Sequence, residues 1–312
     1  MRTSALVLGT MNFGTRIDEK TSFDLLDRFV EAGGVWIDTA DCYAFWLSES
    51  GHGGDSEALL GRWLAARPGV RDRVRIATKL GCEPRWPGSW PERPVGLSPR
   101  AVRDAFEGSR RRLGVDAVDL LWLHQEDRTT PVEQTVEALG ELVAAGSVRR
   151  LGASNHPAWR VERARRHARD VGVLPIDAFQ LCATYLRPRP DAGLLLNSHP
   201  FGVIGDEQRD YAEAHGLEVW AYSAQLEGAY DNPAKPIPEP YDHPGSTRRL
   251  AVLGEVADEL GAGRGQVVLA WLLAHGIRPM LGGSRPDQLD SALAAVRLEL
   301  PDELRARMDA AV

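Results

Sequence analysis

Short apolar runs alternate with longer amphipathic stretches, and the cycle repeats eight times along the 312 residues. The apolar runs at 5–8, 35–38, 74–79, 118–124, 148–153, 178–181, 218–222 and 277–281 have the length and bounding residues of buried strands. Between them, apolar positions recur at helical spacing. Ser98-Pro99 reads as an N-cap with a first-turn proline, followed by Val102, Ala105, Phe106 and Leu113 on one face. Thr130-Pro131-Val132-Glu133 has the form of a capping box ahead of Val136, Leu139 and Val143. Gly34, Gly114, Gly146, Gly172, Gly216 and Gly276 stand where helices should close in a left-handed cap. Strands alternating with helices predict a parallel sheet. Eight such units predict an α/β fold, a (β/α)8 TIM barrel forming one domain over residues 1–312, with its site at the C-terminal ends of the strands. An open doubly wound sheet is the alternative, but no Gly-x-Gly-x-x-Gly follows the first run.

Three stretches interrupt the cycle. Residues 44–54 are glycine-rich and carry Trp46, residues 82–94 hold Trp86, Trp90 and four prolines, and residues 226–245 hold five prolines. Each follows a strand on the face where barrels build sites, and loops of that length in a compact domain are usually functional or mobile.

Composition narrows the field. Hydrophobic residues make up 43% and charged residues 26%, values ordinary for a globular protein. A formal charge of −7 argues against a nucleic-acid partner, which needs a basic face. No apolar run reaches about 18 residues, so no membrane span is expected, and no signal peptide is read at the N-terminus. Cys42, Cys82 and Cys182 are far apart in sequence, so neither a disulfide framework nor a metal site is expected, and a reducing cytoplasm fits. Lysine is the unusual feature. Of 37 basic residues only Lys20, Lys79 and Lys235 are lysines. An ammonium is compact and tunable where a guanidinium is a planar, permanently charged fork, so Lys79, at the end of the third run, is a candidate for work that arginine cannot do.

Other strand ends carry polar groups too: Asp38, His124, Ser154-Asn155, Gln180, Tyr222-Ser223 and Gly282-Gly283-Ser284-Arg285. In a barrel these converge on one mouth. With Gly9-Thr10-Met11-Asn12-Phe13-Gly14, Ile37-Asp38-Thr39-Ala40-Asp41-Cys42-Tyr43, Ala77-Thr78-Lys79, Asp119-Leu120-Leu121-Trp122-Leu123-His124, Gly152-Ala153-Ser154-Asn155, Ala221-Tyr222-Ser223 and Gly282-Gly283-Ser284-Arg285-Pro286-Asp287-Gln288, the chain resembles the aldo-keto reductases over almost its whole length. It is similar to the branch that includes potassium-channel β subunits.

The resemblance implies an NAD(P)H-dependent enzyme that reduces an aldehyde or ketone, a small-molecule carbonyl, with the tetrad Asp38, Tyr43, Lys79 and His124. A cofactor-binding redox sensor with slow turnover is the alternative. Carbonyl reduction needs a proton donor, and a nearby ammonium is expected to lower the pKa of a phenol. Lys79 is the expected ammonium, Asp38 its counterion, and His124 a hydrogen-bond donor to the substrate oxygen. The resemblance also implies NADPH, with NADH as the alternative. Tyr222 would stack on the nicotinamide, while Ser154, Asn155 and Gln180 would hold its carboxamide. Gly9, Thr10, Met11 and Asp38 would lie beside the cofactor. Ser223, Leu226 and Gly228, with Gly282, Gly283, Ser284, Arg285 and Gln288, would take its pyrophosphate and adenosine, Arg285 facing a 2′-phosphate. Trp46, Trp86 and His124 would meet the substrate, with Trp90, Arg85, Arg93, Arg187, His156 and Cys182 nearby. Three departures stand out: Ser223-Ala224-Gln225-Leu226 replaces Ser-Pro-Leu and brings in Glu227, Ala292 stands where an adenine-contacting asparagine is usual, and the N-terminal hairpin is short or missing.

Overall fold

The computed structural model describes residues 3–189 and 201–311. Eight parallel strands close into a barrel in sequence order: β1 (Val7–Gly9), β2 (Trp36–Asp38), β3 (Arg75–Leu80), β4 (Leu120–Leu123), β5 (Leu151–Ser154), β6 (Ala178–Cys182), β7 (Glu218–Tyr222) and β8 (Ile277–Leu281). β1 pairs with β8 to seal the ring, Val7 opposite Met280. This is the (β/α)8 architecture that the eightfold alternation predicts.

β1, β2, β4 and β5 are shorter than their apolar runs. Ala5 ends a 3-10 turn, Thr3–Ala5, just ahead of β1. Val118 and Val148 join only through an isolated bridge. A run stays apolar as long as it is buried, but it counts as strand only where the ladder is continuous.

Period-two alternation sorts the inward side chains into layers. Trp36, Trp122 and Trp220 fill the middle of the barrel, with ring centroids 5.0 Å (Trp36–Trp220) and 5.1 Å (Trp122–Trp220) apart, both edge-to-face. Val7, Ala77, Leu120, Ala178 and Met280 complete that layer. Gly152 is required there, because a Cβ would stand 2.2 Å from the Trp122 ring. Two residues earlier, just ahead of β5 and on β7 and β8, the same inward face carries Arg150, Glu218 and Arg278, and Glu218 bridges both arginines, at 2.9 and 2.5 Å. Two residues later it carries Asp38, Lys79, His124, Ser154, Gln180 and Tyr222. The apolar layer therefore separates a structural ion cluster from a polar mouth.

The helices pack around the ring. Ser98 caps Pro99–Leu113 through the Ala101 N–H, as its sequence predicts. Thr130 does not cap Val132–Ala144: Pro131 holds that position, and the Thr130 hydroxyl donates to Asp127 at 2.7 Å. Asp127 also accepts from Leu97 and Thr129 backbone N–H groups, so it outcompetes the helix end for the hydroxyl. The left-handed residue after Glu19–Glu31 is Gly33, at φ 86°, rather than Gly34. Gly34 is needed for proximity instead, since a Cβ there would meet the Phe29 ring at 2.5 Å.

Candidate active site

Lys79 is completely buried, and each of its three ammonium protons has an acceptor. Nζ donates to the Asp38 carboxylate, to the Thr39 carbonyl at 2.9 Å and to the Tyr43 hydroxyl at 2.6 Å. It also lies 4.4 Å from the centre of the Tyr43 ring. β2 ends at Asp38 and the chain turns at once, so that Thr39 offers its carbonyl and Tyr43 returns over β3. The left-handed conformation of Ala44, φ 68°, belongs to this turn. The second Asp38 oxygen accepts from Gln180 at 2.9 Å, across the barrel from β6. His124 follows β4, edge-to-face with Tyr43 at 5.9 Å between centroids. Four residues from three separate segments thus form one cluster.

Burial dominates the electrostatics. It pushes the Asp38 carboxyl up, against the opposing pull of Lys79 and then Gln180. It pushes the Tyr43 phenol well above its ordinary value, and Asp38 adds to the effect. The expectation that Lys79 lowers this phenol is corrected here. The ammonium is neutralised by its own carboxylate, so its field at Tyr43 largely cancels while the desolvation cost of a phenolate remains. Tyr43 is held as a neutral phenol. Burial, and then the Lys79 charge, hold His124 well below the usual histidine range, so the ring is neutral at neutral pH. A neutral imidazole donates through one nitrogen and accepts at the other.

Other expected positions divide. Ser154 faces inward and its carbonyl pairs with the His156 ring at 2.7 Å. Asn155, at φ 57°, spans the mouth: its amide donates to the His124 carbonyl at 2.9 Å and accepts from Tyr222 at 2.8 Å. Gln180 spends a donor on Asp38, a tie that its spacing in sequence gives no sign of. The Thr10 hydroxyl is engaged inside the fold with the Asp38 carbonyl and Ser56, at 3.0 and 2.8 Å, rather than turned to the mouth. Gly9 leaves room for the Met280 side chain, and Met11 is exposed.

After β7, Ser223, Leu226 and Glu227 all take positive φ, followed by Gly228 at 89°. Backbone strain in non-glycine residues concentrates at ligand-handling segments. Leu226 is buried and Glu227 exposed, so its charge points away from the interior. After β8, Gly282 has open space where a Cβ would be, and Gln288 accepts from the Ser284 N–H at 3.0 Å beside the start of helix Pro286–Ala294. Arg285 pairs with Asp287 at 3.1 Å on the surface. Ala292 is packed in the core.

Trp46 and Trp86 are half exposed on the mouth loops, at 45% and 48%. Trp90 is more enclosed; it packs on Phe45 and donates to Cys82 Sγ at 3.4 Å. The guanidinium of Arg93 lies 5.9 Å from the Trp86 ring, Arg85 reaches the Val95 carbonyl, and Arg187 stands 3.8 Å from Asp206. Cys182 lies 3.6 Å from the Tyr241 hydroxyl. Spacing along the chain gave no reason to connect the other two cysteines. The fold nevertheless brings Cys42 and Cys82 together beside His124, because the loops after β2 and β3 are neighbours.

A closed parallel barrel with a buried lysine bound to a carboxylate and a phenol at its mouth defines a class of oxidoreductase. The profile of the aldo/keto reductase family matches residues 5–312, and the chain belongs to that family of NAD(P)-dependent enzymes. It is 34% identical to norsolorinic acid reductase stcV of Emericella nidulans, over 97% of this chain and 76% of the relative. It is 30% identical to the uncharacterized oxidoreductase YrpG of Bacillus subtilis, over 97% and 90%. A shorter match, 34% identical over 58% of this chain and 48% of the relative, is to the aryl-alcohol dehydrogenase [NADP(+)] of Phanerodontia chrysosporium. No helix among the described residues is long and apolar enough to cross a membrane.

Proposed function

We propose that this enzyme reduces an aryl aldehyde or ketone with NADPH, and that Tyr43 gives the proton to the carbonyl oxygen. The observation that carries the reading is the Lys79 ammonium, whose protons are divided among Asp38, Thr39 and Tyr43. A phenol whose oxygen accepts a hydrogen bond from an ammonium has its own proton left to point outward, and that donor stays on the oxygen as the proton leaves. Asp38, oriented by Gln180, keeps the ammonium charged. Neutral His124 donates to the same substrate oxygen and steadies its developing charge.

Several features fit a nicotinamide dinucleotide. Gly282 and Gly228 leave open space, the strained turn from Ser223 to Gly228 shapes a backbone cradle, and Tyr222 stands at the mouth. Ser154, Asn155 and Gln180 would lie against the carboxamide. The Arg285–Asp287 pair is exposed and screened by solvent, so Arg285 can turn to a 2′-phosphate at little cost. When bound, the nicotinamide supplies the hydride for the carbonyl carbon. The aromatic substrate is supported by the exposed rings of Trp46 and Trp86 and by the names of two relatives, which specify norsolorinic acid and aryl alcohols. A sensor of the kind found in the channel β-subunit branch would not need all four tetrad groups in contact, and their completeness favours turnover.

The test is a panel of aryl and aliphatic carbonyls run with NADPH and NADH. Aryl compounds with NADPH should give the highest kcat/KM. Tyr43→Phe should lower kcat by about 10²–10⁴-fold while NADPH affinity stays within about twofold. Turnover retained in that variant would remove Tyr43 as the acid.

A further inference from the structure

Cys42 and Cys82 are both buried beside His124, and their three ligand atoms all lie within 4.8 Å of one another. Cys42 Sγ is 3.4 Å from His124 Nδ1. Tetrahedral zinc, with bonds of about 2.3 Å to sulfur and about 2.05 Å to nitrogen, holds such atoms about 3.6 Å apart. One edge of the coordination polyhedron therefore already exists. We propose that Cys42, Cys82 and His124 form a binding site for a thiophilic divalent cation, with zinc as the natural probe, and that loading this site arrests the enzyme.

The ligand chemistry supports the assignment. Two thiolates and an imidazole are a soft, borderline set that selects zinc or cobalt over magnesium or calcium. The Trp90 indole N–H donates to Cys82 Sγ at 3.4 Å, an outer contact that orients this sulfur. Two thiolates cancel the charge of a divalent ion, and the nearby Lys79 ammonium is already paired with Asp38. His124 is partly exposed at the mouth, which provides a route of entry. The fourth coordination position is left for water.

Arrest follows from distance. The three ligand atoms lie within 4.8 Å of one another and tetrahedral edges are about 3.6 Å, so loading fixes the His124 ring in the metal's geometry. That ring is the donor proposed for the substrate oxygen, and a reacting group held even about 1 Å from its productive position costs on the order of 10²-fold in rate. The arrest rests on the reductase function proposed above; the binding does not.

The experiment keeps the full-length protein reduced with a phosphine and titrates it with cobalt chloride. The expected result is one equivalent bound, with a sulfur-to-cobalt charge-transfer absorption that zinc abolishes. Cys82→Ser should lose that absorption and at least tenfold in affinity, and Cys182→Ser should lose neither. If Cys82→Ser does not fold, Cys42→Ala carries the same expectation. Absence of the absorption, or its persistence in the folded variant, overturns the site. Zinc should also inhibit carbonyl reduction at least tenfold in the parent enzyme, reversibly with EDTA, but not in Cys82→Ser. Undiminished turnover with zinc bound overturns the arrest. Cobalt binding with the expected absorption in a protein that reduces no carbonyl supports the site and counts against the reductase function instead.

Discussion

Lys79 shows why residue chemistry matters more than charge. Three acceptors surround Nζ in three directions, a pattern that three tetrahedrally arranged protons satisfy and a planar fork does not. A chain that otherwise builds its positive charges from arginine keeps lysine here. Lys79→Arg should therefore lower kcat/KM by about 10²–10³-fold although the charge is conserved. Near-parental kinetics in that variant would show that charge alone suffices. The pH dependence is a second expectation at this scale. Tyr43 is an acid with a raised pKa, so it holds its proton until pH climbs past a value above the ordinary phenol range. His124 has a lowered pKa, so it takes up a proton only well below the usual histidine range. The reduction rate should therefore be level from about pH 7 to about pH 10. An inflection near pH 8 in pre-steady-state reduction would contradict the burial argument.

Among the elements, β5 and the turn after β7 carry the most information. β5 contributes Gly152 because Trp122 fills the barrel directly against it. Gly152→Ala should destabilise the fold by about 1–3 kcal/mol through overpacking, measured as a lower urea midpoint at unchanged m-value. An unchanged midpoint would mean that the indole can swing aside. The turn after β7 takes its shape from three successive departures into positive φ, two of them at leucine and glutamate. Propensity at those residues points elsewhere, so nothing in Ser223-Ala224-Gln225-Leu226-Glu227 announces the conformation. Thr130 makes the same point for helix starts. The capping pattern is intact, but Asp127 is near enough to take the hydroxyl.

Across the whole molecule, the barrel closes around an ionic layer below the indoles. Glu218 joins Arg150, just ahead of β5, and Arg278 from β8, and Arg278 also donates to the Ser4 carbonyl ahead of β1. Burial raises the Glu218 carboxyl, but Arg278 and Arg150 outweigh it and the net direction is down. A carboxylate with a depressed folded-state pKa stabilises the fold above its unfolded pKa, near 4.5, and loses that contribution as pH falls through the folded value. Glu218→Gln should cost about 2 kcal/mol at pH 7, and the difference from the parent should shrink below about pH 4. A constant difference between pH 7 and pH 3 would mean that the ion pairs contribute nothing to folding.

The eightfold alternation, the helix faces and the polar strand ends were all legible in the sequence, because period and burial are local properties of the chain. Asp38, Lys79 and His124 could be singled out for the same reason, since each ends an apolar run, whereas Tyr43 came only with the family resemblance. What only the tertiary structure decided involves pairs of residues from different runs. Gln180 reaches Asp38 across 142 positions. The Lys79 charge is spent on its carboxylate, so the phenol shifts up rather than down. Cys42 and Cys82, unrelated by any metal-binding spacing, meet because the loops of neighbouring strands emerge side by side. Contacts across a barrel are set by its closure and register, and neither is written in any one segment.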